Sequence, residues 1–150
     1  MFKIKYFVSI IIARLLEFKN PKYDLVVVSP LNYEDWILGS IAHKVANACH
    51  GKVFFSHSLR KLPSSRAYFF IHHPLLRTAY TFNPVLWNSN VGVWFTHDDK
   101  FPFSKGEMSF LLNKVSIIYT PSTVSINSII SEYCIDKKKI HLSVGAADSN

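Results

Sequence analysis

Two short stretches hold the side chains best suited to chemistry at neutral pH. One, at 91–100, reads VGVWFTHDDK and passes from a run of β-formers into Thr96, His97, Asp98 and Asp99. The other, at 67–73, reads AYFFIHH and ends in His72 and His73 before Pro74. An imidazole is the natural base in this pH range. A carboxylate beside it, as Asp98 is beside His97, can orient the ring and raise its basicity. The pattern suits general-base chemistry, with His97 and Asp98 as first candidates and His73 or His72 as the next. Adjacent side chains on a strand point to opposite faces, so His72 and His73 share one site only if the strand has already ended. The alternative for each histidine is an ordinary hydrogen-bonded strand end.

Such residues act together only if the fold gathers them. DLVVVS at 24–29 is a continuous apolar run of strand length, stopped by Pro30, and predicts a strand buried on both faces. The segment 33–51 predicts a helix with Ile37, Ile41, Val45 and Ala48 inward, Glu34 and Asp35 at its N-terminal end and Gly51 as its C′ residue. KVFFS (52–56) is a short strand and SLRKLPSSR (58–66) a loop. AYFFIHH is a third strand, LLRTAYTF (75–82) a helix and VGVWFTH (91–97) a fourth strand. A helix through EMSFLLNKV (107–115) precedes a fifth strand, SIIYTPS (116–122). TVSINSIISEYC (123–134) predicts a helix with Ile126, Ile129, Ile130 and Tyr133 inward, and IDKKKIHLSVG (135–145) closes with a sixth strand. This alternation predicts an α/β fold: a Rossmann-like parallel sheet of about six strands with helices on both faces.

In such sheets ligands gather outside the carboxyl ends of the strands. Asn32, His72, His73, His97, Asp98, Ser122 and Gly145 all fall there. Backbone amides at the helix start beside Asn32 favour an anion, although Glu34 and Asp35 compete for that role. Arg60 and Lys61, with Arg66 on the same loop, are candidates to bind phosphate or are simply solvated charges.

At 150 residues, 49% of them apolar, the chain is long enough for one domain with a real core. Its formal charge of +7 is unevenly spread, because 37–96 contains no Asp or Glu while carrying Lys44, Lys52, Arg60, Lys61, Arg66 and Arg77. That field suits phosphate, anionic lipid or nucleic acid. Cys49 and Cys134 have no metal-type spacing, and burial inside helices in a reducing cytoplasm is expected for them. Residues 1–23 form a separate amphipathic helix. Its apolar stretch is interrupted by Arg14, too short to span a bilayer and not followed by a cleavage-site pattern. Ile4, Phe7, Val8, Ile11, Leu15 and Phe18 make one stripe, with Lys3, Lys5, Arg14 and Lys19 on other faces. That stripe either packs on the domain of 24–150 or makes a peripheral contact with an anionic membrane.

The segment 114–150 resembles the end of the N-terminal domain in GT-B nucleotide-sugar glycosyltransferases. Ile118-Tyr119-Thr120-Pro121-Ser122 matches that family's strand and Pro-Ser turn. Lys139-Ile140-His141, then Gly145 and Asp148, match the basic turn, last strand, Gly and nearby Asp. FFIHH and VWFTHDD are similar to the two preceding strands, whose His-bearing ends face the interdomain cleft. The resemblance covers 24–150. It departs at Pro30-Leu31-Asn32, where the family often has a Gly-rich turn, and it includes no second Rossmann-like domain. It implies the acceptor-binding half of a transferase that uses a nucleotide-sugar donor and a glycan or lipid-linked acceptor. It implies no cofactor and no bound metal, and little or no turnover without a donor-binding half, which a partner chain could supply. His97, Asp98 and His73 would be catalytic, and Asn32, His72, Arg60, Lys61, Ser122 and Gly145 would bind acceptor or phosphate.

Three other readings compete. A metal hydrolase could use His72, His73, His97, Asp98 and Asp99, but no HExxH or CxxC spacing is present. A nucleic-acid module would use the positive charge, yet the aromatics follow core periodicities and no recognition motif appears, so no nucleic-acid partner is expected. A non-catalytic partner subunit or remnant is the third.

Overall fold

Six segments rich in Val, Ile, Phe and Tyr, the residues that fit a pleated buried surface, form one all-parallel sheet in the computed structural model. It describes residues 2–16, 20–33, 37–96 and 104–143. The strands are β1 (Tyr23–Val28), β2 (Val53–Ser56), β3 (Ser65–Phe70), β4 (Asn90–Trp94), β5 (Ile117–Thr120) and β6 (Ile140–Leu142). Their order across the sheet is β2-β1-β3-β4-β5-β6. Val26 pairs in register with Tyr68, Phe70 with Val93, Val93 with Ile118 and Ile118 with Ile140. The predicted α/β, Rossmann-like class is therefore observed.

The helices are α1 (Phe2–Leu15), α2 (Ile37–Ala48), α3 (Leu75–Phe82), α4 (Lys105–Lys114) and α5 (Thr123–Tyr133). From β1 the chain steps outward to β2, then returns and steps the other way from β3 to β6. Parallel crossovers are right-handed, so α2 lies on one face of the sheet and α3, α4 and α5 on the other. Val26, Val28, Tyr68, Phe70, Val91, Val93 and Ile118 are buried beneath the larger layer. The β2–β3 connection, 57–64, contains no helix, so among the described residues α2 covers its face alone. Helices occur on both faces as expected, but unevenly. Beside α2, Phe69, Gly92, Trp94, Ile117 and Tyr119 floor an apolar groove of about 380 Å3, with Val45 and Ala48 on its wall.

Three local expectations need correction. Helix α2 buries Leu38, Ile41, Ala42 and Ala46 and leaves Ile37 exposed. Its small residues allow close approach to the sheet, which turns the helix and puts Val45 and Ala48 at the groove. Gly51 is needed for close approach, since an added Cβ would lie 2.6 Å from Asp24 Oδ2. That carboxylate accepts the Lys52 N–H at 2.8 Å. Neither cysteine is buried: Cys49 is part-exposed beyond α2, and Cys134 is exposed at the left-handed C-cap of α5. Of the two positions open to the apolar stripe of α1, the structure has the outward one: Ile4, Phe7, Val8, Ile11 and Leu15 point away from the body, while Tyr6, Ser9 and Ala13 face inward. Asn88 Nδ2 donates to the Ala13 carbonyl at 2.6 Å, and Trp87 Nε1 to Ser9 Oγ at 3.0 Å. Tyr6 packs edge-on to Trp87, 5.5 Å between ring centres.

One polar cluster binds α1, α3 and α4 together. Glu107 is buried, and its Oε1 accepts from Tyr6 Oη at 2.6 Å, Arg77 Nε at 3.2 Å and Lys5 Nζ at 3.4 Å. Burial alone would raise this carboxyl, but the Tyr6 hydrogen bond and the Lys5 and Arg77 cations outweigh it and hold it below its ordinary value. Burial, reinforced by the same carboxylate, pushes the Tyr6 phenol up.

Candidate functional site

Parallel strands put all their carboxyl ends on one rim. The order reverses between β1 and β3, the usual place for a ligand crevice. Ser29 follows β1 there, and His72 and His73 follow β3. Strand β3 stops at Phe70, three residues short of His73. The condition for the two histidines to share a site is thus met: their rings lie edge-on, 5.2 Å apart. His73 is fully buried and stacks on Phe95, 4.1 Å between ring centres and 21° between planes. A base must reach its substrate, so of this pair the part-exposed His72 is better placed to act as one.

The neighbouring strand ends supply hydroxyls. Oγ of Ser29, Oγ1 of Thr96 and Oγ1 of Thr120 are buried and have no hydrogen-bond partner among the described residues. Buried polar groups are normally paired, and these three lie at the ends of β1, β4 and β5. Ser122 caps α5, accepting the Ser125 N–H at 3.1 Å, and Ser125 Oγ donates to the Thr96 carbonyl at 3.2 Å. This ties the β4 end to the start of α5. His97, Asp98 and Gly145 lie outside the described residues. Strand β4, which leads to His97, ends at Trp94 on the same rim as His72.

Other expected ligand residues separate. Asn32 is exposed in a 3-10 turn, Leu31–Tyr33, just past β1. Arg60 and Lys61 diverge: the Arg60 guanidinium sits over the Phe82 ring at 4.9 Å. Lys61 lines an open cleft of about 490 Å3 with Lys22 and His57. Asn83 fixes this loop, its Nδ2 donating to the Leu59 carbonyl at 2.8 Å and its Oδ1 accepting from the Leu62 N–H at 2.9 Å.

Comparison with protein families, with curated proteins and with solved structures found no significant match. The geometry therefore carries the functional reading. Sequence reading missed His57, which follows β2 on the same rim. Its Nδ1 lies 2.8 Å from the Ser29 carbonyl, and since a carbonyl only accepts, that nitrogen bears the proton. The rule that selected the other strand ends would have selected it. Among the described residues, no group of three or more His, Cys, Asp or Glu is arranged to hold a metal ion. Likewise, no helix among them is long and apolar enough to cross a membrane.

Proposed function

We propose that this chain is the acceptor-side domain of a GT-B glycosyltransferase, acting with a nucleotide-sugar donor on a glycan or lipid-linked acceptor. The observation that supports this reading most is the shared rim of β1, β3, β4 and β5. Segments that resemble the family along the chain end side by side there, next to the strand-order reversal. In the proposed step the acceptor oxygen forms a bond to the anomeric carbon while the bond from that carbon to the diphosphate breaks. The nucleoside diphosphate leaves with the electron pair. His97, oriented by Asp98, takes the acceptor proton; His72 is the second candidate, with His73 forming the wall behind it. Asn32, Ser122 and Gly145 would hold acceptor or phosphate, and a second Rossmann-like domain or partner chain would hold the donor. Both cysteines are free thiols, which suits a reducing, cytoplasmic setting.

The seven histidines provide the test. Their imidazole C–H resonances are followed by NMR while a panel of nucleotide sugars and saccharide diphosphates is titrated in. His72, on the rim, and His97 should move, and His43, His50 and His141 should not. Absence of any shift across the panel, or shifts confined to those last three, would count against the proposal.

A further inference from the structure

Among the described residues, nothing covers the outer face of α1, although the helix itself is firmly held. Ile4 is 75% exposed, Phe7 60%, Val8 64% and Leu15 78%, and Ile11 and Ile12 are also exposed. At 3.6 residues per turn, these positions from Phe7 round to Ile12 cover about 140° of the helix circumference. Arg14 lies just beyond one border of that arc and Lys5 just beyond the other. Residues 2–16 contain no Asp or Glu. An apolar ridge bordered by cations and free of acids complements an anionic lipid surface, whose acyl layer takes the apolar side chains while its phosphates meet the cations.

The inner face explains why this ridge persists. Tyr6, Ser9 and Ala13 bury against α3, the 3-10 turn Pro84–Asn88 and α4, and the Glu107 cluster fixes the first turns. The helix therefore cannot roll its apolar arc inward without breaking those bonds. The 14-residue length of α1 is too short to span a bilayer but ample to lie along one.

We infer that α1 docks this protein onto anionic membrane surfaces, lying in the interface with Ile4, Phe7, Val8, Ile11 and Leu15 inserted. The inference stands independently of the transferase proposal, because it uses none of the rim residues.

The test is co-sedimentation of the full chain with two vesicle preparations, phosphatidylcholine alone and phosphatidylcholine mixed with phosphatidylglycerol. The wild type should bind the mixed vesicles, bind neutral ones much less, and be released by salt. The triple variant Phe7→Gln, Ile11→Gln, Leu15→Gln changes only outward positions, so it should keep its circular dichroism and melting temperature. Its partition onto mixed vesicles should fall at least roughly thirtyfold, given the apolar area no longer inserted. Arg14→Gln should lower the same partition about fivefold. No binding to either vesicle, equal binding to both, or unchanged binding by the triple variant would each overturn the inference. So would a wild-type dimer in light scattering that the triple variant converts to monomer, since the ridge would then belong to a second copy of the chain.

Discussion

Glu107→Ala should destabilise the protein by about 3 kcal/mol, because one carboxylate holds three elements together. The hydrogen bond from the buried Tyr6 hydroxyl, at 2.6 Å, is the strong contribution, about 2 kcal/mol for a bond to a charged group. The Lys5 and Arg77 side chains are 35% and 39% exposed, so each counts as a screened pair of about 0.5 kcal/mol. Together these give about 3 kcal/mol, or about a 10 °C drop in Tm for a chain of this size. Glu107→Gln keeps an acceptor for Tyr6 and loses only the charge, so about 1–1.5 kcal/mol is expected. Urea titration monitored by tryptophan fluorescence is the assay, with Trp87 next to Tyr6 as reporter. The midpoint should fall while the slope stays constant. The pH dependence has a definite sign. The folded carboxyl lies below its ordinary value, so its contribution is complete above the unfolded pKa and is lost as pH falls through the folded one. Wild type should therefore lose the excess over Glu107→Gln on acidification below about pH 4. A cost below about 0.5 kcal/mol for Glu107→Ala, or a wild-type advantage that grows on acidification, would refute the reasoning.

Two further substitutions probe the frame around the rim. Asn83→Ala removes the amide that binds Leu59, Leu62 and Ala79; a loss of about 2–3 kcal/mol is expected by thermal melt, with faster proteolysis in the 57–64 loop. Gly51→Ala drives a methyl into Asp24 and displaces the acceptor of the Lys52 N–H. A loss of about 2 kcal/mol should appear in the urea midpoint, and an unchanged midpoint would show that Asp24 moves freely.

The sheet was legible in the sequence because a strand buried on both faces leaves an unbroken apolar run, as in Leu25 to Val28, that little else produces. The direction of the strands followed from the helices between them. What the pattern could not reveal was which side of an apolar helix faces inward. In α1 the longest aliphatic stripe is outside, and the buried side is chosen by Tyr6, Ser9 and Ala13, whose hydroxyls and small size let the helix sit against α3. In α2 the same preference for small residues turned the buried face from Ile37 and Val45 toward Leu38 and Ala42. At the candidate site, a strand-end rule was enough to collect His72, His73 and Ser122 on one rim. It could not tell that Phe95 would cover His73, because that contact joins two strand ends. Nor could it foresee the Glu107 cluster, which links residues about a hundred positions apart.

The lengths of the strands have a consequence for how the molecule behaves in concentrated solution. β2 has four residues and β6 three, whereas β1 and β3, in the interior, have six. The borders of the sheet thus present very little unpaired ladder, and Lys137, Lys138 and Lys139 crowd the approach to β6. Short, cationic margins are poor templates for recruiting a strand from another molecule. Aggregation by open-ended, amyloid-like strand addition is accordingly disfavoured, and self-association of this protein would have to begin from greasy helical contacts.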